Sequence, residues 1–168
     1  MRTLFMKKLA FCAAVLFLSV GAQAQGGGFD ELAGIKGVEY IHLDKEKLAQ
    51  LAENGESIKY GDTVVLGDKK GEIFSLLETV DVYVCEEGDG ADKLEKKVKP
   101  VLNQKDYQTI VDMSQDDQKV KILQKKTGEN VRNVIFVVDK EDKQVVLVVL
   151  EGKLDLAKLI EEQSNKND

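Results

Sequence analysis

The sequence has few of the residues that most often carry catalysis or bind metals. It contains one histidine, His42, two cysteines, Cys12 and Cys85, and no tryptophan. A structural zinc site takes four cysteine or histidine ligands, and only three such residues are present. No Cys-x-x-Cys pair and no Gly-x-Ser-x-Gly turn occurs, so the signatures of dithiol redox proteins and serine hydrolases are missing. We expect no cofactor and no metal site.

Aromatic residues are also scarce, and the 30 acidic residues outnumber the 24 lysines and arginines. Aromatics make up 6% of the chain, and its net charge is −6. Proteins that bind single-stranded nucleic acid stack the bases on aromatic side chains in a basic groove, and those that bind duplexes neutralise phosphates with lysine and arginine. We therefore expect no nucleic-acid partner and no attraction to anionic lipid through overall charge.

The first 24 residues have the composition of a secretory signal peptide. A basic start precedes an apolar run over residues 9–20, and Ala-Gln-Ala at residues 22–24 supplies small residues for cleavage. The run is shorter than the ~20 residues of a membrane helix, and no later segment is apolar enough to span a bilayer. Cys12 lies within the run after a bulky Phe11, which does not suit lipid attachment. These features predict a periplasmic or secreted protein.

Cleavage after residue 24 would leave a chain of ordinary single-domain length. It would remove Arg2, Lys7 and Lys8 and no acidic residue, so the net charge would fall from −6 to −9. Cys85 would be the only cysteine, which excludes an internal disulfide. We predict a flexible leader over residues 25–37, a single α+β domain over residues 38–163 and a disordered tail over residues 164–168.

Hydrophobic periodicity predicts the order strand, helix, strand, helix, four strands, helix (βαβαββββα). The four consecutive strands are expected near residues 107–113, 119–125, 131–139 and 144–151. Only short polar turns separate them, which indicates neighbouring antiparallel strands. We expect a mainly antiparallel sheet of about six strands, with helices packed mostly on one face.

The last two predicted strands are apolar on both sides. Residues 134–138 and 145–150 lack the polar alternation of a half-exposed strand, which is typical of central strands covered on both faces. Three short helices can leave part of one face open. A protein partner, a second copy or an acyl chain would then cover it.

Local signals predict the ends of the helices. Asp44 and Asp155 stand where a side chain caps a helix amino terminus, and Leu43 with Leu48 has the spacing of a hydrophobic staple. Pro100 lies inside the pattern of the second helix and is expected to bend or end it.

The acidic stretch over residues 86–92 offers a candidate calcium site or the start of a helix. Its spacing does not match the twelve-residue calcium loop. Acidic side chains are favourable at a helix amino terminus, and we favour that interpretation.

Cys85 ends the second predicted strand and is the candidate nucleophile or redox thiol, with His42 as its base. A lone cysteine on a strand is more often a small buried apolar group. His42, close to Asp44, is more often a partly exposed strand residue than a base. We assign no catalytic, cofactor-binding or metal-binding residue.

Several short segments resemble one protein family. They are Phe-Asp-Glu-Leu at residues 29–32, Gly-Val-Glu-Tyr-Ile at 37–41, Thr-Val-Asp-Val-Tyr at 79–83, Gly-Glu-Asn-Val at 128–131 and Glu-Gly-Lys-Leu-Asp-Leu at 151–156. Over roughly residues 29–163 the chain resembles the domain of unknown function 4252, a family of small exported bacterial proteins. The resemblance implies an envelope or secreted location, no established activity and therefore no functional residue.

We thus expect an exported, non-catalytic interaction module of the bacterial cell envelope. It would contact a protein partner or a second copy through an apolar sheet face. One alternative is a thiol-dependent enzyme or redox protein that uses Cys85. The other is a carrier of a small hydrophobic ligand, which would need a lined cavity.

Overall fold

The computed structural model describes residues 29–60, 63–66, 72–86 and 88–166. In chain order the elements are a 3-10 helix (Asp30–Gly34), β1 (Val38–Leu43), α1 (Lys45–Glu53), β2 (Ile58–Tyr60), β3 (Thr63–Leu66), α2 (Glu72–Ser75), β4 (Leu77–Cys85), α3 (Gly88–Leu102), β5 (Gln108–Gln115), β6 (Gln118–Thr127), β7 (Asn130–Asp139), β8 (Gln144–Gly152) and α4 (Leu156–Lys166). The predicted signal peptide lies outside the described residues.

The main sheet has six strands in the order β1–β4–β8–β7–β6–β5, and every neighbouring pair is antiparallel. A separate two-stranded pair, β2 and β3, lies in the glycine-rich region between α1 and α2 that has no clear sequence pattern. The predicted α+β class and antiparallel sheet are confirmed.

Helices cover both faces of the middle of this sheet. The α3 face, toward which Tyr83 and Leu147 point, packs against α3 and the 3-10 helix. The opposite face, toward which Val82 and Val148 point, packs against α1, α2 and α4, and we call it the three-helix face. Three of the four helices therefore share one face. This agrees with the prediction that the helices pack mostly on one face.

Strand β8 is the best-covered element. All six residues over 145–150 are buried, and they alternate between the two hydrophobic clusters. This position agrees with the uninterrupted apolar run in the sequence. Fully burying one such leucine or valine stabilises the fold by about 1.5–3 kcal/mol.

The packed part of the chain begins at Phe29 rather than at residue 38. Phe29 and Leu32 are both buried in the cluster under α3. The Lys97 ammonium of α3 also contacts the Glu31 carboxylate at 3.1 Å. The predicted leader over residues 25–37 is therefore wrong from Phe29 onward, because two apolar side chains suffice to anchor the 3-10 helix. Helix α4 likewise continues to Lys166, beyond the predicted boundary at residue 163.

The predicted helix caps are confirmed. Asp44 Oδ1 accepts a hydrogen bond from the Lys47 amide at 2.9 Å, and Asp155 Oδ1 accepts one from the Lys158 amide at 3.2 Å. Pro100 lies in the last turn of α3, which ends at Leu102. Proline has no amide hydrogen to donate to the carbonyl four residues before it, and the helix ends two residues after Pro100.

Gly152 lies where β8 passes close to the start of β4. Its φ is +149°, and a Cβ there would lie 2.3 Å from the Leu76 carbonyl oxygen. We expect Gly152→Ala to lower the free energy of unfolding by more than about 2 kcal/mol, through backbone strain and this clash. Urea denaturation measures the loss. Gly34→Ala is the matched control, because the added methyl meets no atom within 4 Å. Equal stability of the two variants would contradict this packing.

Asp155 links α4 to β6 and should make stability depend on acid. The Lys126 ammonium at 2.8 Å, together with Gln124 and the Lys158 amide, lowers the pKa of Asp155 from 3.8 to about 2. The unfolded chain therefore binds a proton first, and the contribution of Asp155 is complete above about pH 4 and is lost as the pH falls toward 2.

We expect Asp155→Asn to be less stable than the parent by about 1 kcal/mol at pH 7. The difference should shrink between pH 4 and pH 2. Urea unfolding of both proteins at pH 7, 4 and 2.5 tests this, and a difference that does not change with pH would contradict the assigned interaction.

Candidate functional site

Cys85 is enclosed at the end of β4. Its side chain has no solvent exposure and lies beneath the first turn of α3. Gly90 passes so close that a Cβ at this position would lie 2.7 Å from the Cys85 sulfur and 2.7 Å from the Lys36 carbonyl oxygen. The thiol therefore fills space in the core, where a substrate has no access to it.

The structure does not bring Cys85 and His42 together. Cys85 pairs with Val38 across the β1–β4 ladder, whereas His42 pairs with Asp81, four residue pairs further along. At ~3.4 Å per residue the two positions are about 13 Å apart. The stacked rings of Tyr40 and Tyr83, with centroids 4.8 Å apart, stand between them. The candidate cysteine–histidine pair is therefore not formed, and His42 cannot act as a base for this thiol.

His42 instead belongs to a polar cluster around a buried carboxylate. Asp81 is 7% exposed. Its Oδ1 atom accepts a hydrogen bond from the Tyr40 hydroxyl at 2.6 Å and lies 2.6 Å from His42 Nδ1. Because a carboxylate accepts, Nδ1 is the donating nitrogen of His42. The two donors compensate for burying the charge and tie the edge strand β1 to β4.

The electrostatics of Tyr40 agree with a structural role. Burial, and then the hydrogen bond to the Asp81 carboxylate, raises the pKa of the Tyr40 phenol. The hydroxyl therefore remains protonated and continues to donate to Asp81. Asp81 and Tyr83 alternate with apolar residues in the sequence, which is typical of a strand with one covered face. In the structure α3 and the 3-10 helix cover the side of Asp81 and Tyr83 as well, so both residues are buried.

The acidic stretch after Cys85 is the predicted helix start. Asp89 lies exposed in the first turn of α3, where the helix dipole favours a negative charge. Within the described parts of the chain, no three histidine, cysteine, aspartate or glutamate side chains are arranged to hold a metal ion.

A groove of about 330 Å³ lies on the α3 face, between the carboxyl-terminal half of α3 and the β5–β6 hairpin. Leu102 and Phe136 line its floor but are themselves buried. Its rim carries ion pairs, Lys99 with Glu95 at 2.9 Å and Lys121 with Asp112 at 3.9 Å. Carrier pockets are lined mostly by accessible apolar side chains, and this groove is not.

The three-helix face has a different character. Cross-strand neighbours form two apolar rows on this face. One row crosses the whole sheet and consists of Ile41, Val82, Val148, Ile135, Ile122 and Val111. The other begins at β4, beside the exposed Glu39 of β1, and consists of Val84, Val146, Val137, Val120 and Met113. The rows are buried where they cross β4 and β8. Toward β5 they become half-buried, and Met113 at the end is 56% exposed.

We call the uncovered part of these rows the open sheet end. It consists of Val111, Met113, Val120, Ile122, Ile135 and Val137. The helices of this face pack mainly over β1, β4 and β8, through side chains such as Leu48 and Phe74. None of the residues of α4 is buried. Six neighbouring apolar side chains therefore stay partly open to solvent.

Comparison with known families agrees with this architecture. The model of the family described as Domain of unknown function (DUF4252) matches residues 33–161, which is most of the chain. The chain belongs to the DUF4252 family. The resemblance predicted from the sequence is confirmed, and the description of the family states no activity. No curated protein matches the chain significantly.

None of the described helices of this DUF4252 protein is long and apolar enough to cross a membrane. Of the residues singled out from its sequence, Cys85 and His42 lie on the α3 face but apart. The open sheet end is on the opposite face, where the sequence already indicated strands with two apolar sides.

The Tyr40–Asp81 hydrogen bond can be tested by a double-mutant cycle. We expect Tyr40→Phe to destabilise this DUF4252 protein by about 1–3 kcal/mol, because it removes a donor from a buried carboxylate. In the Asp81→Asn background the same change should cost less, with a coupling energy of about 1 kcal/mol measured by urea unfolding. Strictly additive losses would contradict the interaction.

Proposed function

We propose that this DUF4252 protein is an exported, non-catalytic interaction module of the bacterial cell envelope, and that its open sheet end binds a protein. One observation carries the proposal. Two apolar rows that begin in the covered core continue, without interruption, to the half-buried strands β7, β6 and β5.

In the middle of the β5–β6 hairpin, over residues 111–114 and 119–122, polar and apolar side chains lie on opposite faces. Its α3 face carries Asp112, Lys119 and Lys121, whereas its three-helix face carries the open sheet end. Single exposed apolar side chains are normal on protein surfaces, but contiguous patches mark interaction sites. The centre of a protein interface is also poor in charge, and none of the six residues of the open sheet end is charged.

The absence of catalytic activity is supported by the placement of the reactive side chains. The Cys85 thiol is enclosed, and His42 is hydrogen-bonded to Asp81. Catalytic side chains have to reach a substrate. The exposed apolar residues are therefore better candidates for the functional surface than Cys85 and His42.

Export is supported by the signal-like composition of residues 1–24. The expected product in the host is a chain that begins at Gln25. Intact-mass measurement of the protein from the envelope fraction tests cleavage. A full-length mass and recovery from the cytoplasm would overturn this part of the proposal.

Binding through the open sheet end can be tested by photocrosslinking in cells. A photoreactive phenylalanine analogue at Val120 should give a discrete crosslinked product. The same analogue at Glu129, exposed in the turn between β6 and β7, is the matched control and should not.

The variant Ile122→Lys places a charge in the middle of the open sheet end. Because a buried unpaired charge is strongly unfavourable in an interface, we expect it to reduce the Val120 product about tenfold or more. In the free protein the long apolar stem of the new lysine can keep its ammonium group in solvent. Circular dichroism should therefore show an unchanged fold. Equal products from Val120 and Glu129, or no effect of Ile122→Lys, would overturn binding at this surface.

A further inference from the structure

The geometry points to a second copy of the chain as the partner at the β5 margin of the open sheet end. We infer that two DUF4252 chains join antiparallel through their β5 edges, with a twofold axis at Met113. The inference rests on the proposed function, because Met113, the most exposed residue of the open sheet end, lies at the centre of this pairing. The result would be one sheet of twelve strands in which the rows that end at Met113 continue from one copy into the other.

Strand β5 is the accessible edge of the sheet. At the other edge, β1 contacts the 3-10 helix, α1 and α3, whereas the main contacts of β5 are with β6 alone. Most of its residues over 108–115 are exposed, on both faces. An edge strand presents unpaired amide and carbonyl groups, and another strand can add to them.

The turn between β5 and β6 determines which backbone groups point outward. Gln115 and Gln118 flank a two-residue turn, and a four-residue turn is closed by a hydrogen bond between its first and last residues. Hydrogen-bonded and non-bonded pairs then alternate along the ladder. Met113 therefore bonds to β6, while Asp112 and Ser114 direct their amide and carbonyl groups away from it.

These outward groups select one register for two identical strands. A β-bulge between Thr109 and Val111 interrupts the regular part of the strand, which leaves 111–115 for pairing. Met113 is the centre of this segment. With the axis there, Asp112 of each copy lies opposite Ser114 of the other, and their outward groups form four main-chain hydrogen bonds.

The side chains agree with this register. Met113 meets Met113 of the second copy in a non-hydrogen-bonded pair, where side chains lie closest. On the other face, the Asp112 carboxylate faces the Ser114 hydroxyl of the second copy. Lys119, directly beside Ser114 on β6, makes no ion pair with any described residue and can reach that carboxylate. A register with Asp112 opposite Asp112 would instead bring like charges together and run into the bulge.

The expected dimer is weak, because five paired residues form a small interface. Sedimentation velocity of the purified chain between 1 and 500 µM should show a reversible monomer–dimer equilibrium with a dissociation constant on the order of 10–100 µM. A monomer at every concentration would overturn the inference.

Proline at residue 114 is the sharpest probe of edge pairing. Ser114→Pro removes an outward amide hydrogen without removing a bond to β6, and edge strands tolerate proline at such positions. We expect the dissociation constant to rise at least tenfold, with an unchanged urea unfolding midpoint. Ser114→Thr keeps the amide and the hydroxyl and should dimerise like the parent. Undiminished dimerisation of Ser114→Pro would overturn pairing through this edge.

Cysteine pairs test the position of the axis. Met113→Cys lies opposite itself in the second copy, within disulfide reach, and should form a covalent dimer under mild oxidation. Gln115→Cys lies opposite Val111 and should not. The native Cys85 is buried, so the unmodified protein measures the background of disulfide formation. Crosslinking of Gln115→Cys as efficiently as Met113→Cys would overturn the register and indicate another arrangement of the two copies.

The failures of the two proposals can be told apart. A monomeric protein without a Met113→Cys disulfide, but with a Val120 photoproduct at the mass of a different protein, would overturn the second-copy inference and support the proposed function. Loss of both the disulfide and every Ile122→Lys-sensitive photoproduct would overturn both.

Discussion

The burial of β8 on both of its faces is the constraint from which the rest of the structure follows. Residues 145–150 have apolar side chains at every position, so each side of the strand must be covered by something apolar. Strands β4 and β7 flank it, and helices close both faces over it. The two hydrophobic clusters therefore lie on opposite sides of the same strand, and a substitution that removes apolar contacts of β8 weakens the sheet to which both clusters are attached.

The open sheet end is a geometric consequence of this arrangement. Six strands at ~4.8 Å spacing span roughly 24 Å, whereas one helix covers about 10 Å. On the three-helix face, α1 has nine residues and α2 only four, and both pack near β4. The third helix, α4, has no buried residue, so it covers this face only in part. The apolar side chains of β5, β6 and part of β7 therefore remain partly exposed at this margin of the sheet.

Local patterns predict those parts of this fold that depend on neighbouring residues. The apolar run in β8 predicts that this strand is central. Asp44 and Asp155 predict helix starts, because each carboxylate accepts a hydrogen bond from an amide only three residues away. Contacts between distant segments leave no such pattern. Asp81 meets Tyr40 and His42 only because β1 pairs with β4, forty residues away in sequence. The burial of Phe29 and the limited reach of the helices depend in the same way on tertiary packing.

The Asp81 cluster also explains why the residues that looked reactive are kept apart. A shift of one residue in the β1–β4 register would move every side chain of β1 to the other face and leave the buried carboxylate without its donors. Asp81 therefore favours the register in which Cys85 pairs with Val38 and His42 lies four pairs away. Of the side chains that suggest chemistry in this DUF4252 protein, His42 helps to hold an edge strand in place and Cys85 fills space in the core. The exposed apolar surface lies at the opposite edge, where β5 has main-chain groups available for another strand.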